Sequence, residues 1–246
     1  MPSLRCLLAV AVLAATPLLA AAAGVIPGKA EARAPSSLLE ALAGKAPALS
    51  KTVLSRAIGA MDCAIGEGIP AARRLAVIDF SLPSSKPRMW IFDLARKTLL
   101  LEELVAHGKN SGDDLATIFS NREGSHQSSI GLFLAAESYV GRHGYSLRMD
   151  GLEPGINDKA RDRAIVIHGA DYVDSGWIER HGRIGRSQGC PAVRPEVADQ
   201  VVDSLKDGQF VFSYYPDEEW LASSPYLNCR PEQVAGTTAP LPDSDS

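Results

Sequence analysis

LAVIDFSLPSSKPRMWIFDLARKTLLLEELV, Leu75 to Val105, holds three short runs rich in β-branched, leucyl and aromatic residues: LAVIDF (75–80), RMWIFDL (88–94) and KTLLLEELV (97–105). They are separated by the turn-rich SLPSSKP and by ARK, too short for intervening helices, so they read as consecutive antiparallel strands. GLFLAA (131–136), YSLRM (145–149), RAIVIH (163–168) and QFVFSYY (209–215) extend the pattern. Many short strands with few helices indicate a mainly β domain of sandwich or barrel type over roughly residues 70–216. A doubly wound α/β sheet would need a helix between most strands.

Two helices flank this region. Leu49, Val53, Ala57, Ile58 and Met61 recur at helical spacing after Pro47, with Ser50 placed to cap the first turn. Between the last two strands, VRPEVADQVVDSLKDG carries Pro195 in the first turn, Glu196 to complement the dipole, Val197, Val201 and Leu205 on one face, and Gly208 as its stop.

The start of the chain has a different character. Arg5 precedes the apolar CLLAVAVLAATPLLA, which closes in Ala21, Ala22 and Ala23, the layout of a cleavable secretory signal peptide. A membrane anchor is the competing reading, but the apolar run is shorter than the roughly 20 residues a spanning helix needs. The expected organisation is a signal peptide at 1–23, a flexible Ala/Pro/Gly-rich lead-in at 24–37, a helical segment at 38–69, the β domain at 70–216, and a C-terminal extension at 217–246 with a disordered end. The expected location is therefore outside the cytoplasm, in the periplasm or cell envelope, with no membrane span after cleavage.

Composition sets outer limits. The 246 residues are 46% hydrophobic and 22% charged with a net charge of −4, enough apolar material for a core and too acidic for a protein whose main partner is nucleic acid or an anionic membrane. Of four cysteines, Cys6 leaves with the signal. Three remain, and an odd number in an oxidising compartment suggests one disulfide and one thiol kept free.

The densest chemistry lies in IVIHGADYVDSGWIERHGRIGRSQGCPAVRP, Ile165 to Pro195. His168 ends a β-branched strand and Gly169 lets the backbone turn beside it. Gly189 frees the chain before Cys190, and Pro191 restricts Cys190 to an extended conformation. A thiol on such a turn with an imidazole to take its proton suits nucleophilic acyl transfer. These residues alone allow an alternative: Cys190 paired with Cys63 or Cys229, and His168 an ordinary structural histidine.

IHG at 167–169 followed by GRSQGCPAV at 185–193 resembles the L,D-transpeptidase catalytic domain family of bacterial cell-wall enzymes. IFSN with GS (118–125), HGYSLRMDGLEPGIND (143–158) and IHGADYV (167–173) place the resemblance in one subgroup, over roughly residues 70–216. It implies a β-sandwich with an N-terminal helix and a short helix after a nucleophilic Cys190. His168 would be the general base, oriented by the Gly169 carbonyl, and Ser187 and Gly189 would shape the turn. Backbone N–H groups around Gly189 and Cys190 would form the oxyanion hole. The substrate would be peptidoglycan stem peptides, cleaved at the L-centre of the diamino acid at position three, with D-alanine expelled and the acyl group passed to an amine. An L,D-carboxypeptidase using water and a catalytically silent wall-binding module are the alternatives.

Two positions depart from the family pattern. Gln188 stands where the common motif has a second His, and Ala192 where an Arg is usual. Arg194 is then a candidate for a substrate carboxylate, with a salt bridge as the alternative. His126 and Tyr145 are expected near the cleft if the resemblance extends to them, and Asp171 with Tyr172 as a cleft wall, although helix initiation after Asp174 also explains the latter pair. Cys63 and Cys229 are left as a disulfide tying the helical segment to the chain after the last strand. No cofactor is expected. Five histidines raise a zinc peptidase as a weaker rival, but no His-x-x-x-His or Cys-x-x-Cys spacing occurs.

Overall fold

The computed structural model describes residues 37–229. The expected signal peptide with Cys6, residues 24–36 of the expected lead-in and residues 230–246, the end expected to be disordered, lie outside the described residues. Helices α1 (Ser37–Ala43) and α2 (Lys51–Gly66) come first. α2 starts directly after Ser50, although the Ser50 side chain makes no capping bond, and it buries Val53, Leu54, Ala57, Ile58 and Met61. The strands are β1 (Arg74–Asp79), β2 (Met89–Asp93), β3 (Thr98–Glu103), β4 (Gly131–Gly141), β5 (Gly144–Gly151), β6 (Val166–Gly169), β7 (Ala192–Val193) and β8 (Gln209–Tyr214). α3 (Ser175–His181) follows β6, α4 (Pro195–Leu205) follows β7 and α5 (Glu218–Ser223) follows β8.

The architecture is mainly β, and all eight strands join one sheet in the order β3-β2-β1-β8-β4-β5-β6-β7. β1, β2 and β3 form the antiparallel meander that the Leu75–Val105 stretch implies. β8 then returns between β1 and β4, parallel to the first and antiparallel to the second. Both faces of these central strands are covered, which is why β1, β2 and β8 read as continuous apolar runs. Period two divides β1 between two cores: Leu75 and Val77 meet α1 and α2, while Ala76 and Ile78 face the side packed by Val201, Val202 and Leu205 of α4.

The chain after β8 is more than an extension. α5 carries the buried Trp220, whose indole N–H donates to Glu153 Oε2 at 2.9 Å, and Tyr226 joins the same core as α1 and α2. Cys63 of α2 is disulfide-bonded to Cys229, with Cα atoms 6.0 Å apart. α4 ends at Leu205, before the expected stop; Asp207 and Gly208 then turn the chain into β8 with φ of 64° and 89°.

Candidate functional site

The end of β6 and the turn before β7 build the site. β6 lies between β5 and β7, pairing His168 with Ser146 on one side and with Ala192 on the other. Cys190 stands two residues before Ala192, so sheet pairing brings the thiol turn beside the histidine strand. Cys190 is the free cysteine of the described residues, its thiol reaching the Ala164 carbonyl at 3.7 Å.

Ser187 holds the turn that presents it. Its backbone is clamped by a 2.9 Å bond from Ser187 N–H to the His107 carbonyl and a 2.8 Å bond from Lys109 N–H to the Ser187 carbonyl. Its hydroxyl accepts from Gly189 N–H at 3.0 Å and donates to the Cys190 carbonyl at 2.6 Å. Gly189 has φ of 122°, and a Cβ there would lie 2.8 Å from the Gln127 carbonyl oxygen, so no other residue fits without moving backbone. Ser128 closes the far side, donating to the Gly189 carbonyl at 3.0 Å.

This geometry corrects one expectation. The Gly189 N–H already has a partner in Ser187 Oγ and is not available to an oxyanion. Among the groups expected to form that hole, the Cys190 N–H is left.

His168 is buried, and its Nδ1 donates to the Gly169 carbonyl at 2.8 Å. That bond assigns the proton to Nδ1 and leaves Nε2 as an acceptor. Gly169 is tightly packed, since a Cβ would sit 3.0 Å from Ala198 Cβ in α4. The His143 ring stacks on His168 with centroids 4.4 Å apart. Burial lowers the His168 pKa, opposed by the Gly169 bond and reinforced by His143. Burial likewise raises that of the Cys190 thiol, while the Val166 N–H and the Arg163 guanidinium favour thiolate. Both shifts favour the uncharged forms, thiol and imidazole, near neutral pH.

Both groups open on one cavity of about 590 Å³, a size typical of small-molecule sites. Of the expected residues, His126, Tyr172, Ser187 and Gln188 also line it. The Tyr172 pKa is pushed up to about 12, chiefly by burial. Gln188 is exposed there.

Three expectations are overturned. Arg194 forms a two-pronged ion pair with Glu103, Nε to Oε1 at 2.9 Å and Nη2 to Oε2 at 2.6 Å, and does not line the cavity. Its salt-bridge alternative is the correct one, because a nearly buried carboxylate demands a fixed partner. Tyr145 faces elsewhere, donating to Asp203 Oδ1 at 3.0 Å beside Lys206: strand alternation sends it to the α4 side. Asp171 is exposed and outside the cavity.

Other cavity residues escaped the sequence reading. Arg163 lies beneath the thiol and binds the Ser120 carbonyl, Ser125 Oγ, the Gln127 carbonyl and Ser129 Oγ, fixing the 120–129 loop that forms one wall. Arg142 and His143 arrive from the β4–β5 hairpin tip. RDRAIVIH places Arg163 five residues before His168, and His143 opens the HGYSLRMDGLEPGIND stretch of the resemblance; Arg142 has no such signal. Among the described residues, no group of three or more His, Cys, Asp or Glu is arranged to hold a metal ion.

A family profile described as the L,D-transpeptidase catalytic domain matches residues 45–214, beginning earlier than the expected domain start at 70. No curated protein matches the chain. Among solved structures, the L,D-transpeptidase from Mycobacterium smegmatis is 14% identical, with 59% of this chain and 60% of that one covered and a TM-score of 0.37. A mutant L,D-transpeptidase from Enterococcus faecium is 13% identical over 58% of this chain and 50% of its own, with a TM-score of 0.36. The L,D-transpeptidase from Xylanimonas cellulosilytica is 14% identical over 59% and 62%, with a TM-score of 0.34. The chain thus spans between half and three fifths or so of these relatives. With most of its length matched by the family profile, the chain belongs to the L,D-transpeptidase catalytic domain family.

Proposed function

We propose that the protein is an exported cysteine L,D-transpeptidase acting on peptidoglycan stem peptides. The observation that carries this reading is a free Cys190 thiol and a buried His168 imidazole, with Nδ1 tied to the Gly169 carbonyl, opening on one cavity. Family membership supplies the substrate class. The signal-like first 23 residues support export to the periplasm or cell envelope.

The chemistry follows from the protonation states. His168 Nε2 removes the Cys190 proton as sulfur bonds to the carbonyl carbon on the L-centre of the third-position diamino acid. Val166 N–H and Arg163 stabilise sulfur as charge develops, and the Cys190 N–H faces the oxyanion. The tetrahedral intermediate collapses with cleavage of the C–N bond, and the imidazolium gives its proton to the departing amine of D-alanine. A thioester remains. An amine of a second stem, deprotonated by His168, attacks it and returns the proton to sulfur, forming the new amide.

Treatment with a thiol-reactive carbapenem followed by intact-mass measurement tests the reading. A covalent adduct that disappears in Cys190→Ala supports it, whereas an inert thiol favours a silent wall-binding module. Mass spectrometry of muropeptides separates acceptors: new cross-linked dimers mean transfer, and shortened monomers alone mean an L,D-carboxypeptidase.

A further inference from the structure

Expelling a terminal amino acid places its free carboxylate two bonds from the breaking C–N bond, so the cavity must meet an anion next to the reacting centre. Three arginines line that cavity, Arg142, Arg163 and Arg186. Arg163 is engaged by four oxygens of the 120–129 loop. Arg186 donates to the Gly112 carbonyl at 2.7 Å and lies 3.3 Å from Asp113. Arg194, the candidate from sequence, is held by Glu103.

Arg142 differs from all of them. It is exposed at the tip of the β4–β5 hairpin, and no hydrogen bond or ion pair engages its guanidinium among the described residues. Its backbone is held by the ladder, which pairs Val140 with Tyr145 and Gly141 with Gly144. The next residue, His143, stacks on His168, so the free guanidinium extends from a backbone held one residue from the ring that covers the base. The other charged cavity residues, Glu123 and Asp162, are anions and repel a carboxylate.

We propose that Arg142 binds the free α-carboxylate of the amino acid that the reaction expels, and so restricts the enzyme to the C-terminal ends of stem peptides. This rests on the transpeptidase reading. Guanidinium and carboxylate match as a two-pronged, charge-assisted pair, and the unpaired Arg142 gives up no internal partner to form it.

The test is calorimetric binding to Cys190→Ala protein of a stem tetrapeptide ending in D-alanine and of the same peptide as its C-terminal amide. The acid should bind roughly ten- to a hundredfold more tightly, the range of a hydrogen-bonded charge pair. Arg142→Gln should bring that ratio close to one, and Arg142→Lys, which keeps the charge but not the fork, should restore only part of it. A ratio unchanged by Arg142→Gln, or equal weakening of both peptides, overturns the assignment. So does failure of both peptides to bind while wild-type protein still forms the carbapenem adduct. Absence of the adduct instead overturns the transpeptidase reading itself.

Discussion

Removing the Ser187 hydroxyl isolates what the nucleophile turn contributes. The Ser187 backbone is held independently by its bonds to His107 and Lys109, so Ser187→Ala deletes Oγ without freeing the chain. Two bonds are lost: that from the Gly189 N–H, which is left buried without an acceptor, and that to the Cys190 carbonyl. An unpaired buried N–H costs about 1–3 kcal/mol and an ordinary bond to a carbonyl about 0.5–1.5 kcal/mol, giving about 2–4 kcal/mol in total. For a domain of this size that lowers the melting temperature by roughly 4–15 °C. The turn also loses its grip on Cys190, and about 1.4 kcal/mol of misplacement slows acylation about tenfold. Urea unfolding and the carbapenem adduct rate read the two effects, with Ser187→Thr as the variant that keeps the hydroxyl. Stability within about 0.5 kcal/mol of wild type, together with an unchanged adduct rate, would refute the assignment of Ser187 as the clamp of the turn.

Two further changes separate structural charges from functional ones. Arg194→Ala leaves the nearly buried Glu103 carboxylate without its partner and should cost about 2–3 kcal/mol, reduced from the fully buried case by the exposure of Arg194; Arg194→Ala with Glu103→Gln should recover most of it, and strictly additive losses in urea unfolding would contradict the pairing. His107 is fully buried, its Nδ1 accepts from Arg88 Nη2 at 2.8 Å, and burial with the Arg88 charge lowers its pKa to about 4. Because the folded value lies below the unfolded 6.5, the unfolded chain takes up a proton first as pH falls, so this group removes stability between pH 6.5 and about 4, by about 3 kcal/mol. Buried Glu153 and Asp79 have raised values and act in the opposite direction, so the comparison needs His107→Gln, which keeps an acceptor for Arg88. Its stability should fall less steeply over that range, and identical acid slopes in the two proteins would exclude His107 as the source.

What the sequence discloses here depends on how local its cause is. β1, β2 and β8 are legible because strands covered on both faces must be apolar throughout, and α2 because its buried residues repeat at helical spacing. α3 has no buried residue to show a helical repeat and is legible only at its start, where helix initiation after Asp174 is met by the Asp174 side chain accepting from Trp177 N–H; β7 is two residues long and exists through its pairing with β6. The parallel pairing of β1 with β8 joins segments more than a hundred residues apart, and no local pattern encodes it. The site divides likewise. His168 with Gly169 and Gly189 with Cys190 stand in two short motifs that the family resemblance picks out, although their types alone left a disulfide and a structural histidine open. Arg194 misled because it follows the cysteine closely, whereas its role is set by Glu103, 91 residues away. Arg142 and Arg163 carry similar local charge, and only the fold distinguishes them: Arg163 points into the carbonyls of the 120–129 loop and is fully engaged, while Arg142 is carried to the cavity by a hairpin turn. Charge type can be read from a sequence, but the availability of a charge for a ligand cannot, because it depends on which acceptors the rest of the fold has already brought to it.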